Sequence, residues 1–395
     1  MTKGNHRFKA TLFALLLLTG TAAAQQDSAE QNRAGSPLDA LLQANHVSAL
    51  NAPDETSWLL FTYVATPTGS RGGHRSRFEG WASDHDTFNR HPQWPGETST
   101  MHPHVAVLQA EQARRLDATP GVQPQVSAQS LEEVRRNRST FDYIVDNGLY
   151  TQEGLAAAFA AGKPIVFPLD SIEVKGDWIP ADSPGVDASR YHISVGADGK
   201  RYALASMHIT SKLIPNWTWA TFEHEDNAGR CDYIGCHDSF GATLPQVAPF
   251  SALGQRYPAC HKSPELRAIF AKADLDEAWQ HYCLKGSQMD FTDSTGRPIL
   301  LGNTIPEKGM VNTASCMTCH ARAAFGKDGL KTSEDGSLDP APVASCPTGA
   351  PCSPNGAPNP DWFWLRNIPV AMQTDFVWAI PYCAVPIGQE ASPCG

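Results

Sequence analysis

The spacing of apolar and polar positions changes several times along the chain, and each change predicts an element. Trp58 to Val64 (W-L-L-F-T-Y-V) is short, apolar and rich in aromatic residues, which predicts a buried strand. Ser36 predicts the cap of a short helix through Leu42, and Ser130 with Glu133 forms a capping-box pattern that predicts a helix to about Asn147. A further helix is expected from Gln152 to the stop at Gly162. Ile165 to Ile179 suggests one or two strands. Tyr191–Val195 and Arg201–Ser211 flank Gly196-Ala197-Asp198-Gly199, a hairpin signal, and Trp217–His224 alternates like another strand. Ser263-Pro264-Glu265 supplies cap, N1 proline and first-turn acid for a helix. Gln288–Thr292 and Pro298–Leu301 predict a hairpin around Ser294-Thr295-Gly296, and Phe376–Ile380 predicts a final buried strand. The proline-rich stretch His91–Pro103 predicts loop, as does the Pro/Gly/Ser-rich stretch 327–361. No internal repeat is visible. The expected class is α+β: a mixed, sheet-rich body followed by a C-terminal helical segment.

The N-terminus changes the picture of where such a body would work. Lys3, Arg7 and Lys9 precede the apolar Ala10–Leu18, and Ala22-Ala23-Ala24 fits a small-x-small cleavage site. The expectation is a signal peptide over residues 1–24, cleaved after Ala24, and export to the periplasm of a Gram-negative bacterium. The apolar run is too short to span a bilayer, and no later stretch approaches the roughly 20 residues required. The remaining chain divides into an N-terminal extension with a short helix (25–55), an α+β body (56–300) and a C-terminal region (301–395). Loss of three basic residues takes the formal charge from −10 to −13, that is 28 basic against 41 acidic residues. Such a surplus excludes nucleic acid and anionic membrane surfaces as natural partners, and is compatible with a partner that docks through a basic surface.

Cys316-Met317-Thr318-Cys319-His320 is a C-x-x-C-H. Two thiols one helical turn apart can form thioethers with the two vinyl groups of a haem, and the adjacent histidine then lies under the iron as proximal ligand. A structural zinc site would need two more ligands at similar spacing, and none is near. A redox C-x-x-C would be expected beside a thioredoxin-like strand–helix unit, which is not evident. One covalent haem c, carried by a helix starting at this motif and ending near Phe325–Gly326, is the expectation. A minimal single-haem cytochrome occupies about 100 residues, the size of one small domain, so this much longer chain must do more than hold the group.

The sixth iron position separates electron transfer from catalysis. Met372, downstream of His320 and after Pro369, is the first candidate for the distal ligand, with core packing as its alternative role. Met310, Met289 and Met207 are further candidates, as are His224, His208 and His192; a vacant position is the remaining possibility. Cys231 and Cys236 with His237 form a C-x4-C-H, a spacing some multihaem proteins use, but a local disulfide is the preferred reading. The eight cysteines outside the haem motif suit an oxidising compartment, and proximity suggests Cys231–Cys236, Cys260–Cys283, Cys346–Cys352 and Cys383–Cys394. In Glu223-His224-Glu225-Asp226, strand alternation puts the two glutamates on one face and His224 on the other. His224 alone can line a haem pocket from there, but a solvated acidic turn is the preferred reading.

Four segments resemble a family of exported bacterial c-type haem proteins, the cytochrome c family in its broad sense: Arg77–Phe88, Asn216–Gly241, Leu301–Gly326 and Gln373–Tyr382. The resemblance implies haem attachment through Cys316 and Cys319 with His320 on the iron, and carries no reaction with it. The expected function is periplasmic electron transfer to a redox partner protein; the alternative is a peroxidase- or oxygenase-like haem enzyme whose body builds a substrate pocket.

Overall fold

The computed structural model describes residues 49–68, 75–105, 131–242, 254–308, 311–330 and 355–394. The expected signal peptide, the helix at Ser36–Leu42, Met310, the bridge Cys346–Cys352 and most of the loop at 327–361 lie outside these residues. Three of the four expected disulfides are present: Cys231–Cys236, Cys260–Cys283 and Cys383–Cys394.

The α+β class holds, and one antiparallel sheet organises it. Eight strands take part: β1 (Ala82–Ser83), β2 (His104–Val105), β3 (Leu131–Arg136), β4 (Ile172–Pro180), β5 (Ile193–Val195), β6 (Arg201–Ser211), β7 (Thr218–His224) and β8 (Tyr282–Gln288). Their order is β1-β3-β4-β6-β7-β8, with β2 also paired to β3 and β5 to β6. Strand alternation gives the sheet two unlike faces. Ile172 and Val174 of β4, Met207 and Ile209 of β6, and Ala220 and Phe222 of β7 enter the main apolar core. Over this face lie α1 (Pro53–Ala65), with Trp58 edge-on to Phe222 and Phe61 tilted against it, and Leu266 and Phe270 of a later helix. The intervening residues of the same strands, among them Glu173, Lys175, His208, Thr210 and Trp219, face the other way.

Helix α1 corrects the strand expected at Trp58–Val64. Pro53 starts it and Asp54 and Glu55 occupy its first turn, as a helix N-terminus favours. It is buried on nearly every side, so its 3.6-residue period is invisible in the sequence and its apolar run imitates a central strand. The helix expected after Ser130 is also corrected. Leu131–Arg136 is strand β3, between β1, β2 and β4; α2 (Asp84–Thr87) lies nearby, and the helix α3 (Arg138–Asp146) begins only at Asn137, whose Oδ1 accepts from the Thr140 N–H at 3.2 Å. Burial of Arg135 and Arg136 in ion pairs is what lets so polar a segment be a strand.

Other expectations hold. Helix α4 (Gln152–Ala161) ends at Gly162 with φ 61°, β5 and β6 form the expected hairpin, and α5 (Pro264–Lys272) is capped by Ser263. The hairpin expected at Gln288–Leu301 reduces to a turn with a single bridge, Thr292 to Pro298; the true strand, β8, precedes it. Helix α6 (Cys316–Ala321) stops short of Phe325, because β9 (Ala324–Phe325) pairs with a later strand. A hairpin of β10 (Trp364–Leu365) and β11 (Ile368–Pro369) precedes that strand, β12 (Met372–Gln373). The strand expected at Phe376–Ile380 is instead a turn, with Asp375 and Phe376 at φ 49° and 73°, leading into α7 (Ala379–Cys383). No helix among the described residues is long and apolar enough to cross a membrane.

Candidate functional site

Helix α6 carries the C-x-x-C-H, and β8 sets where it starts. Gln288, the last residue of β8, donates through Nε2 to Ser315 Oγ at 2.9 Å and accepts the Met317 N–H on Oε1 at 3.1 Å. The Cys316 N–H reaches the Leu301 carbonyl at 3.2 Å, and Met317 is buried in the second apolar cluster with Trp219 and Phe325. The helix N-terminus is thereby tied to the sheet edge.

Eight of the described residues are cysteines, and six are bridged; Cys316 and Cys319 are the two free thiols among them. Burial pushes both thiols above their ordinary range. That is the reverse of the activated, low-pKa thiolate a redox C-x-x-C requires.

His320 is placed from the other side. Its Nδ1 is 2.8 Å from the Phe376 carbonyl oxygen. A carbonyl can only accept, so Nδ1 carries the proton and Nε2 keeps its lone pair. Phe376 is held by its neighbour: the Asp375 carboxylate receives Lys212 Nζ at 2.6 Å and the Phe167 N–H at 2.8 Å. Burial lowers His320 to about 4, leaving a neutral imidazole at pH 7. The ring also lies 4.6 Å from that of Trp219.

Cys316, Cys319 and His320 line one wall of a cavity that faces the polar side of the sheet. It offers about 270 Å³ to the centres of water-sized molecules, where a single water needs roughly 10–15 Å³. Trp378, Tyr382 and the Cys383–Cys394 bridge close one flank. The sheet also lines it: Glu132 and Val134 from β3, Glu173 and Lys175 from β4, His208 and Thr210 from β6. Its charges are mostly paired. Lys175 Nζ meets Glu132 at 2.8 Å, and the fully buried Arg136 holds both Asp84 and Glu173. Burial opposes a charge on Lys175, yet Glu132, Asp177 and Glu307 together raise it above its ordinary value. Burial likewise opposes ionisation of Glu307, but His208 and Lys175 hold it below the usual carboxylate range.

These residues fit a covalent haem: two unbridged thiols and an imidazole with a free Nε2 border a ligand-sized space. When bound, such a group supplies an iron centre for electron exchange or for chemistry on a small ligand.

The distal candidates separate clearly. Met372 pairs with Phe325 across β12–β9 and packs in the second apolar cluster, not on the cavity wall. Met207 is in the main core, and Met289 does not border the cavity. His192 contacts Glu79 and stacks on Trp279. His224 uses both nitrogens: Nε2–H donates to the Arg190 carbonyl at 3.1 Å, and Nδ1 accepts the Asp226 N–H at 3.2 Å. Of the three histidine candidates, only His208 lines the cavity. Its Nε2 is 3.5 Å from Glu307 Oε2, at the long limit of a hydrogen bond, and its buried Nδ1 has no hydrogen-bond partner.

The acidic run at 223–226 is not the solvated turn expected. Glu223 and His224 are 1% and 0% exposed. Glu223 accepts the Thr304 N–H and Lys285 Nζ, while Glu225 is shared by Arg190 and His281. Glu225 also lies beside Cys260 and Cys283, but their disulfide occupies both sulfurs and leaves no thiolate pair for a metal. The Cys231–Cys236 bridge similarly removes the thiols that a second haem would need, and His237 Nε2 lies 2.8 Å from the Ile234 carbonyl.

Gln288, Lys175 and Glu307 escaped the sequence reading. The signal for Lys175 was present in Ile172-Glu173-Val174-Lys175, a strict alternation that puts both charges on one face. No signal marked Gln288 or Glu307, whose roles come from long-range pairing. No family model, curated protein or solved structure matches the chain.

Proposed function

We propose that this is an exported c-type haem protein with one haem bonded to Cys316 and Cys319 and its iron bound by His320 Nε2. One observation carries the reading. The C-x-x-C thiols stay unbridged on a cavity wall while the other described cysteines pair, and the adjacent imidazole presents its only free nitrogen. Export through residues 1–24 to the periplasm belongs to the same reading, since c-type attachment follows export.

Electron transfer through the single haem, with a partner protein docking by a basic surface, is the reading that the lone attachment motif supports. A specific observation favours a second reading, catalysis at an open iron position. The cavity lining also holds ionisable groups, Lys175, Glu307 and His208, and the methionine expected as sixth ligand packs elsewhere. An iron with a sulfur ligand suits reversible electron exchange, whereas a polar distal space suits chemistry on a bound molecule.

Absorption spectra of the ferric and ferrous protein, with and without carbon monoxide, decide between them. Prompt carbon monoxide binding and a high-spin ferric spectrum support the catalytic reading; a low-spin, unreactive iron supports the carrier. Intact mass of the mature protein tests the attachment itself, which requires one haem added to the polypeptide.

A further inference from the structure

Resting on the attachment reading, we propose that His208 is the distal base of the cavity. It would take the proton from a small neutral acid, HX, that enters the cavity toward the group Cys316, Cys319 and His320 would hold, with Glu307 orienting the ring and balancing the imidazolium formed. The H–X bond breaks, its electron pair stays on X, and the proton forms an N–H bond at His208.

His208 sits in a cross-strand row with Lys175 of β4 and Thr221 of β7, on the face opposite the core residues Met207 and Ile209. It lines the cavity that also holds Cys316, Cys319 and His320. Nε2 faces the Glu307 carboxylate at 3.5 Å, while Nδ1 is buried without a hydrogen-bond partner, a condition proteins seldom tolerate and one that a ligand in the cavity would relieve. Glu307 is fixed independently: its carboxylate accepts the Asn303 N–H at 2.6 Å, and Asn303 Nδ2 donates to Thr221 Oγ1 at 3.0 Å. The carboxylate therefore stands ready beside the ring at 3.5 Å, the arrangement in which a base is held by a third group.

The charge of the wall indicates the class of molecule. Asp84, Glu132, Glu173 and Glu307 outnumber Lys175, Arg322 and the Arg136 that lies behind two of them. A preformed anion is disfavoured in such a space, while a neutral acid enters freely and must then lose its proton inside.

Cyanide binding to the ferric holoprotein near pH 7, where hydrogen cyanide dominates, is the test. Replacing the base in His208→Leu and, as a milder variant, His208→Gln is expected to slow association by about 100-fold, the usual scale for one positioned acid–base group. Glu307→Gln should slow it by about tenfold, and Glu307→Asp should recover most of the rate. Unchanged rates in both His208 variants would overturn the proposal. So would a low-spin, bis-imidazole wild-type spectrum that becomes high-spin in His208→Leu, because His208 would then be an iron ligand. A haem-loaded protein with an indifferent His208 defeats this proposal alone, whereas a polypeptide without covalent haem defeats the attachment reading as well.

Discussion

The Nδ1 of His320 lies 2.8 Å from the carbonyl oxygen of Phe376, and this contact decides which ring nitrogen is left for a metal. Because Phe376 adopts φ 73° and Asp375 φ 49°, both outside the usual range for residues with side chains, the turn is held in place by its partners. Lys212 and the Phe167 N–H supply that hold through the Asp375 carboxylate.

Breaking this hold should therefore be costly. Asp375→Asn leaves the buried Lys212 ammonium without its counter-charge, among neutral acceptors such as the Pro215 carbonyl, and should destabilise the fold by about 3 kcal/mol. Urea unfolding measures the loss, and the double variant Lys212→Met/Asp375→Asn should recover part of it. A double variant no more stable than the single one would contradict the pairing.

Replacing Cys316 and Cys319 together by serine should abolish covalent pigment on a denaturing gel. Either single substitution leaves one thioether, so a fraction of the colour should survive denaturation. Full retention in the double variant would sink the attachment reading.

Removing the bridge in Cys231→Ser/Cys236→Ser should leave the haem count at one by intact mass, because these sulfurs serve the fold. A loop this short predicts a stability loss of about 2 kcal/mol, read from the denaturation midpoint. Loss of a second haem's mass would refute the assignment.

Two buried groups should give stability a pH dependence with opposing signs. Burial lowers His224 from 6.5 to about 4. Its folded pKa lies below its unfolded one, so its contribution is complete above about 6.5 and is lost as pH falls toward about 4. Burial raises Asp177 from 3.8 to about 7, against the pull of Lys175, His208 and Ser206. Its contribution is complete below 3.8 and is lost as pH rises toward about 7. Between pH 6.5 and 4 the two slopes, each at most about 1.4 kcal/mol per pH unit, oppose one another. Asp177→Asn should therefore steepen the loss of stability on acidification, and His224→Gln should flatten or reverse it. Denaturant titrations at pH 4.5, 5.5 and 6.5 check both.

What could be read in the chain follows how local each signal is. The Gly196–Gly199 turn, the Ser263 cap and the Gly162 stop are decided by neighbours within a few residues, and each element formed as expected. The disulfides at Cys231, Cys260 and Cys383 also followed proximity. Trp58–Val64 misled because a helix buried on nearly all sides has no polar face to reveal its period. Leu131–Arg136 misled because Arg136 is buried against carboxylates brought from Asp84 and Glu173, and Arg135 against Glu133 of its own strand. In the candidate site, Cys316, Cys319 and His320 were legible as a spaced motif. The choice of His208 over His192, His224 and Met372 was not, because it depends on which side chains have already found partners.

The alternation of β4 and β6 has a consequence for assembly. Ile172, Val174, Met207 and Ile209 point one way, and Glu173, Lys175 and His208 the other. A strand displaced by a single residue would drive ammonium and imidazole into the oily layer beneath α1 and present isoleucine to the hollow. The penalty for burying bare charge makes that mistake self-correcting. Any molecule that has sealed its greasy side has already aimed its ionic one, before anything arrives to fill the space between.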